Sequence, residues 1–259
     1  MSRPLLEVRD LKVHFPVRTG GILFAEYGTL KAVDGITFDL MKFSWLFSTA
    51  AEPGVAIAWK PSRPISTAEL RTREIIVGGS GDSSIIPQVF NFTAGTKFKI
   101  VQGYPGTSDL VLAMERGEVD GICGLSWSTI KTRHAQWLKD KKITIFVQAA
   151  FKKEPEMGDV PLIVDLTKDQ ETAQIMKLFL AAQEMARPFA APPGIPEDRK
   201  AALIAAFEAT MKDPEFLSEA QKLSIDVSPV TAAHLNSLLA DLYATPKAVL
   251  QKAAVAVAK

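Results

Sequence analysis

A short β-type run, Ile75-Ile76-Val77, empties into Gly78-Gly79-Ser80-Gly81-Asp82-Ser83-Ser84, and apolar residues resume at Ile85 and Ile86. Small residues between a strand and a helix start let backbone N–H groups converge on one point. The positive end of the helix dipole there adds about 0.3–1 kcal/mol for a bound anion. The chemistry on offer is anion binding by N–H groups and small hydroxyls. Phosphate-loop chemistry is excluded, because G-x-x-x-x-G-K-[ST] occurs nowhere and Gly95-Thr96-Lys97 is followed by Phe98. Taken alone, such a loop is as readily a plain strand-to-helix turn.

The other reactive side chains are scattered. Cys123 is the only cysteine, so no intramolecular disulfide and no cysteine-based zinc site can be built. His14, His134 and His234 share no ligand spacing. Cys123 and His134 lack an orienting third group, so a buried cysteine and a surface histidine are expected rather than a thiol nucleophile. No catalytic residue, metal or cofactor is expected. A net charge of +1 with dispersed Lys and Arg gives no footprint for nucleic acid. No run approaches the ~18 apolar residues of a membrane span. Glu7, Arg9, Asp10 and Lys12 interrupt any secretory signal at once. The internal Met41-Lys42 followed by FSWLFSTAA has too short an apolar core and reads as a strand. As it stands, the sequence carries no export signal and reads as cytoplasmic.

The elements that position the loop follow from periodicity. LLEVRDLKVHFPV and KAVDGITFDL alternate as two antiparallel strands, with a bulge near Asp10-Leu11 and a turn at Gly20-Gly21. KFSWLF and VAIAWK read as short strands, and Ser66 or Thr67 caps a short helix carrying Leu70. TKFKIV is a strand ending in Gly-Tyr-Pro-Gly. Ser108 is expected to cap the next helix, with Asp109 in its first turn and Gly117 as its stop. Strand 119–125, helix 130–139 and strand 143–148 follow, which indicates α/β with a mainly parallel sheet. A helix from Thr167 to about Ala186 is expected, with Thr167 and Gln170 as a capping box and Ile175, Leu178, Phe179, Ala182 and Met185 on one face. RPFAAPPGIP breaks it. The tail reads as a helix after Pro196 with Leu203, Ile204, Phe207 and Met211 on one face, a short helix from Pro214, a strand SIDVSPV, and a helix capped by Thr231 with Leu235, Leu238, Leu239 and Leu242.

Two resemblances overlie this reading. Residues 4–40, LLEVRDLKVHFPV through GTLKAVDGITFDL, resemble the N-terminus of ATP-binding subunits of ABC-type peptide importers, without the phosphate loop that such chemistry needs. Residues 42–259 resemble the substrate-binding subunit of tripartite tricarboxylate transporters through KFSWLF, REIIVGGSG, GTKFKIVQGYPGTSDLVLAMERGEVDG, GDVPLIVDL and RPFAAPPGIPEDR. That resemblance implies an α/β, periplasmic-binding-protein-like clamshell that closes on a small carboxylate. Its ligand contacts would fall on Gly79, Ser80, Gly81, Ser83, Ser84, Tyr104, Gly106, Asp109 and Ser126, with Trp127 beside the last. It also implies membrane transporter subunits as partners and a periplasmic site of action.

The family pattern begins with a signal peptide and about a hundred residues of first lobe; here forty importer-like residues stand in their place. Asp82 also occupies a point where the family carries a neutral small residue, and its charge would repel an anion unless it caps the helix. One complete lobe (residues 73–186), one partial lobe (residues 41–72 and 187–259) and an N-terminal β-hairpin (residues 1–40) are therefore expected. The hairpin is expected to pair with a sheet edge left open. The functional expectation is a non-enzymatic solute-binding protein for a small organic carboxylate, or a fragment of one. The alternatives are a non-functional fusion product and an importer ATP-binding fragment without ATPase activity.

Overall fold

The computed structural model describes residues 7–19, 26–61, 65–80, 84–223 and 225–258, with side chains described from residue 40 onward. Strands β1 (Glu7–Thr19) and β2 (Glu26–Asp39) form an antiparallel pair whose register shifts between Val8 and Leu11, where the bulge is expected. They make a two-stranded sheet of their own and add to neither of the other sheets, contrary to the edge pairing expected of them. The Gly20-Gly21 turn lies outside the described residues.

The larger sheet has the order β6-β5-β7-β4-β8. Its strands are β4 (Gly54–Trp59), β5 (Ile75–Gly78), β6 (Phe98–Val101), β7 (Gly121–Ser126) and β8 (Ile143–Ala149). β5 runs parallel to β6 and β7, whereas β4 is antiparallel to both β7 and β8. The sheet is thus mixed, not mainly parallel. Every residue of β4 is buried, so GVAIAW is covered on both faces and its composition carries no direction signal.

Side chains alternate between two cores, as a two-residue period requires. On one face, Val89 and Phe90 of α1 (Ile85–Ala94) and Met176 and Leu180 of α5 (Gln170–Glu184) pack against Ile75 and Val77. On the other, Leu110 and Met114 of α2 (Thr107–Glu115), Ile130 of α3 (Trp127–Arg133) and Trp137 of α4 (Ala135–Lys139) pack against Val55, Ile57 and Ile122. Each fully buried Phe90 or Met114 contributes about 1.5–3 kcal/mol by leaving water. Gly95 ends α1 at φ 69° and Gly117 follows α2 at φ 75°, the left-handed conformation that favours glycine.

Three boundaries differ from expectation. The helix expected over 130–139 is two helices broken at His134, whose φ of −125° leaves the helical region. α5 starts at Gln170, because Asp169 accepts from the Thr172 N–H at 2.8 Å while Thr167 ends the preceding 3-10 turn Ile163–Leu166. Its buried residues are Ile175, Met176, Leu180 and Ala181, so the inward face is rotated from the one expected. Gly106, not Ser108, is the N-cap of α2.

The smaller sheet is antiparallel, order β10-β3-β9, built from β3 (Ser44–Ser48), β9 (Pro188–Ala191) and β10 (Val230–Thr231). The strand expected in SIDVSPV shrinks to β10. Leu235 and Leu239 of α8 (Ala232–Tyr243) pack on Trp45 and Val230. Phe47 stacks with Phe189 and with Phe207 of α6 (Glu197–Thr210). Leu203, expected on the inward face of α6, is exposed. α7 (Pro214–Lys222) completes this unit, its N-terminus capped by Asp213.

Spatial grouping therefore departs from chain order. β4 and Leu70, expected with the partial lobe, belong to the larger sheet and its core. The last helix, α9 (Lys247–Val257), lays Val249 and Ala253 against Ile175 and Phe92 of the larger unit. The two sheets are joined where Glu52 N–H donates to Gln183 O at 2.8 Å and Thr49 N–H to Arg187 O at 3.3 Å. The Arg187 guanidinium and Glu52 carboxylate pair across the same crossing.

Candidate functional site

Parallel pairing sets the site. Gly78 stands opposite Val101, so β5 and β6 end together on one edge of the sheet; β7 runs the same way but pairs with Gly78 near its own start, at Ile122, and ends beyond them at Ser126. Each strand then passes into a helix that begins on that edge: β5 into α1, β6 into α2, β7 into α3. In an open α/β sheet this is the edge that faces a ligand crevice, and the N-termini of the longer helices α1 and α2 present N–H groups and positive dipole ends there.

The glycines are needed for space. A Cβ on Gly78 would lie 2.4 Å from Leu110 Cδ2, and one on Gly79 would lie 2.8 Å from Ser84 Cβ and 3.2 Å from Ser84 Cα. The Gly79 N–H donates to Val101 O at 2.9 Å, tying the loop to the end of β6. Gly79 and Ser84 are buried, and Ser80 is half-buried. Gly81, Asp82 and Ser83, the tip of the loop, lie outside the described residues.

Tyr104 is half-buried and packs with the Leu110 core, its ring 3.4 Å from where a Gly78 Cβ would stand. Gly106 and Asp109 share the start of α2, whose N-cap, Gly106, has no side chain to close that end. Asp109 is exposed. The structure thus brings Gly79, Ser80, Ser84, Tyr104, Gly106 and Asp109 to one stretch of edge. Ser126 sits farther along it, opposite Gly54. Its hydroxyl accepts from the Thr129 N–H at 3.2 Å and lies 2.8 Å from Ser128 Oγ, so it caps α3. Trp127 is buried, its Nε1 donating to Glu156 at 2.9 Å.

A second feature of the same edge has no sequence signal, because its residues are far apart in the chain. A cavity of about 480 Å³ opens between the two sheets beside Pro53 and Ala150, walled by Glu154, Glu184, Thr231 and His234. His234 Nε2 lies 3.3 Å from Glu184 Oε2. Burial raises the Glu154 carboxyl above its usual range, with Glu156, Asp226 and Glu184 adding to the rise and Lys131 opposing it. None of the described loop residues lines this cavity.

Cys123 and His134 lie on opposite faces of the sheet. Cys123 belongs to the α1/α5 core, where burial pushes its thiol far above the usual range. His134 stacks on Trp137 at 4.0 Å, with burial lowering its basicity. The two cannot act as a nucleophile and its base. Among the described residues, no group of three or more His, Cys, Asp or Glu side chains could hold a metal ion, and no helix is long and apolar enough to cross a membrane.

No family model matches the chain, and no curated protein matches it. Solved structures do. The chain superposes on a TctC solute binding protein from Polaromonas with a TM-score of 0.61 at 12% identity, covering 83% of this chain and 71% of that one. The R. palustris protein Rpa4515, solved with adipate, gives a TM-score of 0.52 at 14% identity, covering 83% and 69%. The periplasmic binding protein BugD gives 0.50 at 16% identity, covering 82% and 70%. At such identities the likeness speaks for architecture: the chain has a bilobal, periplasmic-binding-protein-like α/β fold built on the larger and the smaller sheet, with the β1-β2 pair apart from both.

Proposed function

We propose that this chain is a non-enzymatic solute-binding protein that holds a small organic carboxylate at the edge formed by Gly79–Ser84, Tyr104, Gly106 and Asp109, with Ser126 at its margin. The observation that carries the reading is the shared end of parallel β5 and β6, each strand delivering a helix N-terminus there, with β7 running the same way and ending beyond them. Gly78 and Gly79, where a side chain would collide with Leu110 and Ser84, let the loop pack closely against the starts of α2 and α1. Carboxylates suit such a site, because N–H groups and dipoles neutralise them without a partner cation. Adipate, bound by the R. palustris protein of like fold, is a dicarboxylate of the size proposed.

Work alongside membrane subunits of a tripartite tricarboxylate-type transporter, in the periplasm, extends the same reading through the family resemblance of residues 42–259. Residues 4–40 receive no nucleotide role, since the sequence holds no phosphate loop. Isothermal titration with adipate, citrate, benzoate and glutamate tests the binding. Saturable heat with at least one of them, lost in Gly79→Val, is the expected result. No response to any carboxylate at millimolar concentration overturns the proposal.

A further inference from the structure

The face of the larger sheet that carries α3 and α4 holds a groove separate from the loop edge. Its volume is about 590 Å³, within the range of small-molecule sites. Its floor is apolar: Ile143 and Ile145 of β8, Trp127, Leu138, Met157 and Val160. Among the described residues β8 is the outermost strand of the sheet, its outer edge meeting only a single bridge from Gln148 to Leu162.

The rim is cationic. Lys60, Lys131 and Lys141 stand on it against a single carboxylate, Glu156. Glu156 is already engaged, accepting from Trp127 Nε1 at 2.9 Å and lying 3.3 Å from Lys131 Nζ. Lys131 is also placed 5.8 Å from the Trp127 ring centroid, within cation–π reach. Lys60 and Lys141 form no ion pair among the described residues.

Lys141 adds a second observation. At φ 53° it is, among the described residues, the only non-glycine in the left-handed region. Its N–H donates to Leu138 O at 3.2 Å and the Lys142 N–H to Trp137 O at 2.8 Å, so the turn after α4 is held in that form. Glycine or asparagine would take this conformation at less cost than a long cationic side chain, and such outliers concentrate where a side chain has a task. Here the consequence is a lysine at the mouth of an apolar groove.

We infer that this groove is a second ligand site, for a free amphiphilic carboxylate: an apolar chain or ring lies along Ile143, Ile145 and Met157 while its carboxylate meets Lys60 and Lys141. Charge complementarity selects an anion over a cation, and the apolar floor selects an amphiphile over a simple salt. The small polar loop edge on which the proposed solute site stands shares none of these lysines and none of this apolar floor, so the two assignments are independent.

The test uses octanoate as the probe, with octanol and octyltrimethylammonium as its neutral and cationic counterparts, followed by isothermal titration and by the Trp127 indole resonance. Octanoate is expected to saturate and to move that resonance. Lys60→Glu combined with Lys141→Glu should weaken octanoate by about tenfold or more, while octanol changes little and any adipate affinity stays as in the parent chain. Val160→Trp, which fills the groove, should abolish octanoate binding. The retained adipate response, or an unchanged melting curve, shows that each variant is folded. Equal affinity for octanol and octanoate, no effect of the lysine reversals, or octanoate signals mapping to other tryptophans overturns the inference. So does binding of phosphatidylglycerol vesicles in place of octanoate, or a concentration-dependent dimer that buries this groove; these outcomes would assign it to a membrane surface or to a second copy.

Discussion

The larger and smaller sheets are built from similar residues and differ in how completely they are covered. The larger sheet has helices on both faces, and its two cores contain Ile57, Ile75, Phe90, Met114, Ile163 and Leu180 with almost no exposed surface. The smaller sheet has one short core, Trp45, Val230, Leu235 and Leu239, under α8. Its surroundings leave Phe189, Leu203, Leu217, Leu223 and Ile225 between 40% and 67% exposed. Burial of apolar surface dominates stability, so the larger unit should carry most of it and the smaller unit should open first.

The sharpest way to break this contrast is to truncate one side chain in each unit. Phe90→Ala should cost about 3–5 kcal/mol, because the ring is fully buried between the sheet and α1. Leu235→Ala empties the smaller core and should cost about 2–5 kcal/mol locally. Chemical denaturation followed by amide hydrogen exchange separates the two. Phe90→Ala should weaken protection throughout the larger sheet. Leu235→Ala should raise exchange in β3, β10 and α8 while β4 and β7 stay protected. Uniform loss of protection in both variants would mean that the two sheets unfold as one unit.

Gly79 probes whether the loop edge acts apart from stability. Gly79→Ala places a methyl group 2.8 Å from Ser84 Cβ, so α1 must shift at its first turn. A cost of about 1–3 kcal/mol follows from overpacking, and carboxylate affinity should fall by about tenfold as the N–H groups lose alignment. Thermal melting and titration on the same sample measure both. A variant that melts as expected but binds adipate as the parent does would detach the ligand from this loop.

What the sequence disclosed follows the same divide. Strand-loop-helix at 75–94 was legible, because glycines punctuate it and apolar residues change period on either side. The edge shared by Gly79, Tyr104 and Gly106 was legible too, since parallel β5 and β6 must end together. The direction of β4 was hidden, because a strand buried on both faces has no alternating pattern to orient it. The start of α5 was hidden by competition between two capping signals: Thr167 with Gln170 fits the motif, but Asp169 with Thr172 forms it. The return of α9 to the larger unit was hidden because chain order says nothing of which apolar face lacks a cover. The cavity at Glu184 and His234 depends on residues fifty apart and left no trace in the pattern.

Thr231→Ala tests the smaller unit more gently. Its hydroxyl accepts from the His234 N–H at 3.3 Å and caps α8, so its loss should cost about 0.5–1 kcal/mol. The effect should appear in the exchange of α8 amides before it moves the global melt. If the global melt shifts by the full amount and α8 exchange does not, the smaller unit is not the weaker one.

The smallest effects concern two carboxylates with opposite pH signatures. Glu69, on the larger unit, accepts from the Ser66 N–H at 2.9 Å and lies 2.7 Å from Arg73 Nη1. The Ser66 backbone bond first, and Arg73 next, lower its carboxyl from 4.5 to about 2. A depressed folded-state value stabilises the protein above the ordinary carboxylate range, and that contribution is lost as pH falls from about 4.5 through about 2. The group is exposed, so its effect is slight. Glu154, beside the cavity between the sheets, is raised by burial instead, so its ionisation disfavours the folded state and stability improves as it takes up a proton. Urea denaturation between pH 3 and about 7 should therefore show Glu69→Gln losing its disadvantage toward low pH, while Glu154→Gln is at least as stable as the parent at neutral pH and loses that advantage on acidification. If both variants follow one trend, the junction between the sheets is as open to water as the outer surface, and the contrast between the two units does not extend to their seam.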